Sequence, residues 1–293
     1  MGRRYDTVSF LTDWGLTDEF VGVVKAVLRD LAPHAAVIDL SHQIRPFDVR
    51  AGSLALARAI SYLPTGVVLA VVDPGVGTAR RAVAIEVAGG EGVLVGPDNG
   101  LLAPAVAIAG GAERAVELDN ADIWFEAPGA TFAGRDIFAP AVAHLCNGAD
   151  LAELGSPVDP HVLMPGIVPL PKAEDDALRA DVLWVDHFGN CQLNVGPDEL
   201  DGWGPKVRVE IGDDVRVATR DSSFGGVGAA LGLVPDSTGM LALVFDQRSA
   251  SDELRLFAGD QVVLRPLDER SNESTVAGPT TSSVSLGPTR PAQ

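Results

Sequence analysis

The sequence of 293 residues is poor in cysteine and in basic residues, and it lacks long hydrophobic runs. Its two cysteines, Cys146 and Cys191, are too few and too far apart for a disulfide framework or a metal site, which predicts free buried thiols in a reducing compartment. The 22 basic residues stand against 40 acidic ones, and the formal charge of −18 opposes nucleic-acid binding. No apolar run approaches the roughly 18 residues that span a bilayer, and the N-terminus lacks a secretory segment. We therefore predict a cytoplasmic protein that binds neither nucleic acid nor membrane.

Common catalytic signatures are also missing. The five histidines are scattered along the chain, and no cluster of histidine, cysteine and carboxylate residues has metal-ligand spacing. There is no P-loop, no nucleophile elbow and no kinase motif.

The 46% of hydrophobic residues, by contrast, is enough for a substantial core, and the length allows two domains.

The pattern of apolar segments divides the chain into an α/β part and an all-β part. Residues 1–165 alternate short strands with amphipathic helices, which predicts an α/β domain with a doubly wound, mostly parallel sheet. The Pro-rich stretch 166–177 is predicted to be a linker. Residues 178–268 contain short alternating runs typical of a small antiparallel β-barrel domain. The Ser-, Thr- and Pro-rich segment 269–293 is predicted to be a disordered tail.

The stretch with the most candidate chemistry follows the apolar run Val67–Val72. Asp73 comes directly after this run, and a turn rich in proline and glycine leads on to Arg80 and Arg81. One short loop therefore offers a carboxylate, two guanidinium groups and several glycine N–H groups to a single ligand. Because Asp-Pro-Gly is also ordinary turn chemistry, a purely structural loop is the alternative interpretation here.

Polar or aromatic residues follow other predicted strands as well. Asp13 lies between a strand and a helix, where α/β proteins place ligand-binding side chains, although a helix-entry turn explains it equally well. Phe47, in a loop beside a proline, either stacks on a flat ligand or fills the core. In the second part of the chain, the residues from Asp186 to Asn190 form a polar and aromatic cluster at a strand end.

Six segments in order resemble the S-adenosylmethionine hydroxide adenosyltransferase family, relatives of the fluorinases and chlorinases: LTDWGLTDEFVGVVKAV, IDLSHQIRPFDVRAG, VVDPGVGTARRAVAIE, GPDNGLL, TFAGRDIFAPAVAHL and DHFGN. The resemblance extends from about Val8 to Pro266. It implies an enzyme in which water or hydroxide attacks C5′ of S-adenosylmethionine, in line with the sulfonium, and releases adenosine and L-methionine. It also implies a homotrimer whose active sites lie between the N-terminal domain of one subunit and the C-terminal domain of the next.

The resemblance further implies roles for individual residues. Asp73 accepts the proton of the attacking water, and Arg80 fixes this carboxylate and the water. Because a sulfonium is already a good leaving group, no metal or cofactor is implied, and S-adenosylmethionine is the substrate. The implied substrate-binding residues are Asp13 (at the ribose hydroxyls), Phe47, Asp73 and Gly134 in the N-terminal domain, and Asp186, Phe188, Asn190 and Ser237, with the pair Asp246 and Gln247, in the C-terminal domain.

Two positions bear on the activity that this resemblance implies. Halogenating relatives carry an uncharged aromatic residue in place of Asp73, and a carboxylate about 4 Å from a halide opposes it by roughly 4 kcal/mol at an effective dielectric of 20. A halogenase is therefore disfavoured. The family's third catalytic residue is a histidine in the segment TFHGRD, where this chain has Ala133. Since alanine cannot relay a proton, the alternative is a protein that binds S-adenosylmethionine or adenosine without turnover.

Overall fold

The computed structural model describes residues 2–267, and the chain divides into two compact units between Leu170 and Pro171. Each unit has a hydrophobic core of its own. Both cysteines are buried and unpaired, as predicted, and burial raises the pKa of each thiol to about 12. Residue 268 and the predicted tail at 269–293 lie outside the described residues. Within the described part of the chain, no helix is long and apolar enough to cross a membrane.

A seven-stranded mixed sheet forms the centre of the first unit. Its strands are β1 (Thr7–Thr12), β2 (Ala36–Ser41), β3 (Gly66–Val71), β4 (Ala82–Val87), β5 (Gly92–Pro97), β6 (Arg114–Glu117) and β7 (Pro157–Val158). Their spatial order is β2-β1-β3-β5-β4-β6-β7. The predicted parallel arrangement is confirmed from β2 to β5, whereas the remaining pairs are antiparallel. Only residues 88–91 connect β4 to its neighbour β5, which leaves no room for the crossover that a parallel pair would need.

Within residues 2–170, four α-helices cover the two faces of this sheet. They are α1 (Phe20–Leu31), α2 (Val49–Ala59), α3 (Ala103–Ile108) and α4 (Ala139–Cys146). α1 packs with α4 against one face, and α2 packs with α3 against the other, so the predicted doubly wound fold is confirmed. Successive side chains of β1 point to opposite faces of the sheet. Phe10 packs in the core on one face, and Leu11 packs in the core on the other.

The helical connections between β1, β2 and β3 indicate where this sheet can bind a ligand. α1 links β1 to β2 at the sheet edge, and α2 returns the chain across β1 to β3. The direction of winding therefore reverses between β1 and β3. In open α/β sheets, ligands bind at the carboxyl ends of the strands at such a switch point. Asp13 follows β1 and Asp73 comes just after β3, so both lie at this point.

The second unit is a β-barrel. Its strands are β8 (Lys172–Glu174), β9 (Ala177–Val185), β10 (Cys191–Leu193), β11 (Lys206–Ile211), β12 (Asp214–Arg220), β13 (Leu231–Pro235), β14 (Leu241–Val244) and β15 (Gln261–Pro266), with α5 (Ala250–Leu254) before the last strand. β9 pairs with both β15 and β10, which closes seven strands into the predicted barrel, while β8 extends β9 as a hairpin. One pair, β12 with β13, is parallel rather than antiparallel, because residues 221–230 turn back so that β13 begins opposite Ala218 and runs in the same direction as β12. β8 lies inside the segment predicted to be a linker.

Candidate active site

Asp73 and Arg80 form a buried ion pair at the carboxyl edge of the first sheet. Only 5% of the Asp73 side chain and 12% of the Arg80 side chain are exposed. Nε of Arg80 lies 3.1 Å from Oδ1 of Asp73, and Nη2 contacts Oδ2. The backbone N–H of Gly75 donates to the same Oδ1 at 3.2 Å. The loop therefore fixes the plane of the carboxylate through a bidentate, charge-assisted pair and a turn hydrogen bond.

These hydrogen bonds leave one position of the carboxylate open. A carboxylate has about four lone-pair positions. Oδ1 accepts from Arg80 and from Gly75, and Oδ2 accepts from Arg80. Among the contacts of the described residues, nothing fills the second position on Oδ2. A water molecule bound there would be oriented by a carboxylate that cannot turn.

Asp13 lies close to Asp73 because β1 and β3 are neighbours in parallel register, with Thr12 opposite Val71. Oδ2 of Asp13 accepts a hydrogen bond from the backbone N–H of Phe47 at 2.8 Å. Burial raises the pKa of Asp13, backbone hydrogen bonds from Phe47 and from Asp13 itself oppose this rise, and the negative charge of Asp73 adds a smaller increase. The structure thus brings Asp13, Phe47 and Asp73 to one place.

Phe47 projects from the surface of the protein. Its side chain is not part of the core, because 72% of the residue is exposed. Its backbone has φ of 69°, in the left-handed region that a bulky residue rarely adopts. Such backbone strain persists where the surrounding structure imposes it and is concentrated at functional sites. The interpretation of Phe47 as a core residue is therefore wrong, and an exposed aromatic ring stands beside Asp13.

A third loop packs against the loops that carry Asp13 and Asp73. Gly134 begins a π-helical turn (Gly134–Phe138), and a Cβ atom at this glycine would lie 2.3 Å from Cη2 of Trp14. The Trp14 ring packs edge-on against Phe132, with 5.6 Å between the ring centroids. Gly134, predicted to bind substrate, is buried and allows this close approach. The Trp14 contacts were not predicted, although the tryptophan directly follows Asp13 in the sequence.

We expect Gly134→Ala to lower the free energy of unfolding by about 1–3 kcal/mol, because the added methyl group must displace the Trp14 ring. The control is Gly22→Ala in α1, where a Cβ atom meets open space and the gain in helix propensity is about 0.5–1 kcal/mol. Denaturant titration of both variants measures the difference. An unchanged midpoint for Gly134→Ala would show that the loop is not held against Trp14.

Ala133 shares a cavity with Arg80. It is buried and lines a cavity of about 540 Å³. Arg80, Trp124, Phe125 and Asp136 line the same cavity. A side chain larger than alanine at this position would therefore extend toward open volume that borders the Arg80 guanidinium.

In the second unit, Asp186 shapes its own loop. Its carboxylate accepts hydrogen bonds from the backbone N–H of Phe188 at 2.9 Å and from that of Asn190 at 2.8 Å. The side-chain amide of Asn190 donates to it as well, at 2.8 Å. The turn leaves the Phe188 ring 75% exposed. Asp186 thus holds the turn in shape, and Phe188 is the residue that the turn presents.

Phe188 and Asn190 line a cavity of about 450 Å³ at the end of β14. Phe224 and Phe245 add two aromatic side chains, and the Arg248 guanidinium lies 4.4 Å from the centroid of the Phe245 ring. Aromatic walls with polar groups at their edges suit a planar ligand that forms hydrogen bonds. Phe224, Phe245 and Arg248 were missed in the sequence; the available signal was an aromatic residue at a strand end followed by polar residues.

The remaining predicted residues of this unit divide between two places. Asp246 and Gln247 line the same cavity as Phe188, and Gln247 has φ of 54°. Ser237 lies in the turn between β13 and β14, at the opposite end of β14 from Phe245, and it does not line this cavity. Among the described residues, no group of three or more histidine, cysteine, aspartate or glutamate side chains is placed to hold a metal ion.

The fold and the site define a class: a two-unit protein with an oriented carboxylate at the switch point of an α/β sheet and, on a β-barrel, an aromatic cavity suited to a planar small molecule. Comparison with known families identifies the family within this class. Residues 8–155 match the N-terminal domain of the SAM hydroxide adenosyltransferases, and residues 180–263 match the C-terminal domain. The chain belongs to this family.

Individual relatives agree with this assignment. The chain is 49% identical to an (R)-S-adenosyl-L-methionine hydrolase of Salinispora tropica, over 87% of this chain and 96% of the relative. It is 43% identical to the enzyme of the same name from Thermus thermophilus, over 88% and 98% of the two chains. A crystal structure of an uncharacterized conserved protein from Thermotoga maritima superposes with a TM-score of 0.80 at 35% identity, covering 88% and 99% of the two chains.

Proposed function

We propose that this protein hydrolyses S-adenosyl-L-methionine to adenosine and L-methionine. The observation that carries the proposal is the carboxylate of Asp73, which Arg80 and Gly75 hold in one orientation with one lone-pair position of Oδ2 open. It lies at the switch point of the sheet, beside a second carboxylate and an exposed aromatic ring. The hydrolases to which the chain is similar at 43–49% identity support the same reaction.

The geometry supports an in-line displacement by water. A water molecule donates a hydrogen bond to Oδ2 of Asp73, and its oxygen forms a bond to C5′ of the substrate. The bond from C5′ to sulfur breaks, and its electron pair stays on the sulfur, which becomes the neutral thioether of methionine. Asp73 takes the proton that the water loses and returns it to solvent. Orientation of the water and acceptance of its proton are the two contributions of the ion pair. Because the sulfonium leaves as a neutral group, the reaction needs no cofactor.

The substrate-binding roles follow the placement of the residues. Asp13 binds the ribose hydroxyls, since an ionised carboxylate is a strong acceptor for two neighbouring O–H groups. Phe47 lies against the ribose and the adenine. In the second unit, Phe188 and Asn190 bind the planar adenine, and Asp186 keeps their turn in shape. A halide is disfavoured as nucleophile because the charge of Asp73 repels it at the position where water is held.

We also propose that the protein is a cytoplasmic homotrimer in which two subunits contribute to each active site. The two buried, unpaired cysteines support a reducing compartment. The family resemblance supports the trimer, and Phe47 and Phe188 are exposed aromatic residues available for contact with a partner subunit or a ligand. Sedimentation equilibrium tests the assembly: a mass near that of the single chain of 30.5 kDa would exclude the trimer.

The proposed reaction is tested by incubating the purified protein with S-adenosylmethionine and quantifying adenosine and methionine by chromatography. The proposal predicts equimolar products above a control without protein. Because Ala133 stands where the family has a histidine, the second candidate is a protein that only binds its ligand. Calorimetric binding of S-adenosylmethionine without any adenosine would favour that second function.

The raised pKa of Asp13 predicts a pH dependence of adenosine binding. Asp13 loses its charge as the pH falls through this raised pKa, so affinity for the ribose falls at a higher pH than for an ordinary aspartate. In Asp73→Asn the loss moves to lower pH, because the charge of Asp73 is one cause of the shift. Calorimetric dissociation constants over the acidic range check both expectations. A profile that is identical in wild type and in Asp13→Asn would contradict them.

A further inference from the structure

A chain of hydrogen bonds leads from the exposed rim of the first sheet, through the buried His42 ring, to the loop that carries Asp13. Nε2 of His42 lies 3.1 Å from Oδ1 of Asp39, whose other oxygen accepts a hydrogen bond from Lys25 at 2.9 Å. Nδ1 of His42 lies 2.9 Å from Oγ1 of Thr12. The backbone N–H of Trp14 donates to the same hydroxyl at 3.3 Å. The chain thus ends on the residues that flank Asp13 on both sides.

For a neutral His42 ring, the chemistry of the partners fixes the direction of these bonds. The carboxylate of Asp39 is an acceptor, so Nε2 of His42 is the nitrogen that carries the proton. In the neutral imidazole Nδ1 is then an acceptor, and the hydroxyl of Thr12 donates to it. This leaves the lone pairs of the hydroxyl oxygen to accept the N–H of Trp14. Each bond in the series therefore requires the orientation of the one before it.

The His42 ring is also held by packing. Only 4% of the residue is exposed, and Thr12 is fully buried. The edge of the ring packs against Phe10, with centroids 4.8 Å apart. A buried histidine whose two ring nitrogens both form hydrogen bonds is held in one orientation. It can therefore fix the positions of the groups bonded to it.

The backbone of His42 makes a further connection. Its carbonyl oxygen accepts the N–H of Gly15 at 2.7 Å, two residues beyond Asp13. The same chain segment continues to Phe47, whose N–H donates to the Asp13 carboxylate. His42 therefore links the two loops that carry the proposed ribose contacts, one through its side chain and the other through its place in the sequence.

We propose that His42 is a positioning residue for recognition of the ribose, acting through Thr12 on Asp13. The proposal rests on the hydrolysis proposed above, in which Asp13 binds the ribose hydroxyls. His42 itself touches neither the substrate nor the attacking water. Its loss lets the Asp13 carboxylate and Phe47 move apart, so discrimination for a ribose that carries its 2′-hydroxyl falls while the Asp73–Arg80 pair keeps its geometry.

The test compares binding of adenosine with binding of 2′-deoxyadenosine, because the ratio of the two dissociation constants does not depend on the fraction of folded protein. The variants are His42→Leu, which removes both ring contacts, and Thr12→Val, which removes only the hydroxyl. His42→Asn is the conservative variant, since its amide oxygen can accept the Thr12 hydroxyl near the position of Nδ1. The control is His34→Leu, just before the amino end of β2, whereas His42 follows its carboxyl end; the His34 ring contacts the Cys146 carbonyl oxygen at 3.1 Å.

We expect wild type to prefer adenosine by about tenfold or more, the worth of one charge-assisted hydrogen bond. His42→Leu and Thr12→Val reduce this preference to about twofold and raise KM for S-adenosylmethionine by about tenfold, while kcat changes by less than about threefold. His42→Asn restores most of the preference, and His34→Leu retains it.

Preference unchanged in both His42→Leu and Thr12→Val would overturn the proposal even if hydrolysis is confirmed. A wild-type enzyme that hydrolyses S-adenosylmethionine without preferring adenosine would overturn the ribose role of Asp13, and this proposal with it. Absence of hydrolysis would instead count against the proposed function.

Discussion

Asp73→Asn is expected to lower kcat for S-adenosylmethionine hydrolysis by about 10²–10⁴-fold, the usual contribution of a general base. Asparagine has the shape of aspartate and still accepts hydrogen bonds, but it cannot take the proton that water loses. KM changes little, because Asp73 acts chiefly on the nucleophile rather than on the adenosyl or methionine groups. Steady-state kinetics under saturating substrate measure the two parameters separately.

The matched control for this substitution is Asp98→Asn. Asp98 pairs with Arg81, the residue next to Arg80, through contacts of 2.9 Å to Nε and 2.6 Å to Nη2. Its side chain is 5% exposed, the same fraction as for Asp73. Loss of charge in either pair leaves a guanidinium without its counter-ion, so both variants are expected to lose stability. Only Asp73→Asn should lose turnover, and an equal fall of kcat in both variants would mean that the pairs serve the fold alone.

Ala133→His is expected to raise kcat by about tenfold or more, through an added acid–base group in the cavity that Arg80 also lines. The residue lines the cavity of about 540 Å³ that also borders Arg80, so an imidazole has volume to occupy. An imidazole there can hydrogen-bond and exchange protons, which alanine cannot do. Kinetics of hydrolysis at neutral pH check the expectation.

The control for Ala133→His is Ala133→Leu, which fills part of the same volume with an apolar side chain. Leucine is expected to leave kcat unchanged or lower, because it offers no proton. Equal rates for the histidine variant and wild type would show that the Asp73 site operates without an imidazole. A gain in both variants would assign the effect to filling of the cavity rather than to proton transfer.

The parts of the fold that could be predicted are those that local periodicity determines. β1, β2 and β3 are short apolar runs that α1 and α2 separate, and their parallel arrangement follows from that alternation. β6 and β7 are too short to produce a pattern. The parallel pairing of β12 with β13 depends on the path of the intervening chain, which sequence patterns do not specify.

In the site, too, contacts within one loop could be predicted, whereas contacts between distant segments could not. Asp73 and Arg80 lie within one loop, and the structure joins them directly. Phe47 was ambiguous because its exposure depends on a left-handed backbone and a contact with Asp13, 34 residues away. His42 gave no signal at all, since its partner Thr12 is 30 residues distant and becomes a neighbour only when β1 and β2 pair.

The most direct test of the central claim is hydrolysis of S-adenosylmethionine in water enriched in oxygen-18, followed by mass spectrometry of the adenosine. Attack of water on C5′ places the label in the 5′-hydroxyl of adenosine and leaves the released methionine unlabelled. We predict one labelled oxygen per adenosine, with formation of the labelled product lost in Asp73→Asn and retained in Asp98→Asn. Adenosine without the label, or a thioether nucleoside as the main product, would show that water does not attack C5′ and would contradict the mechanism.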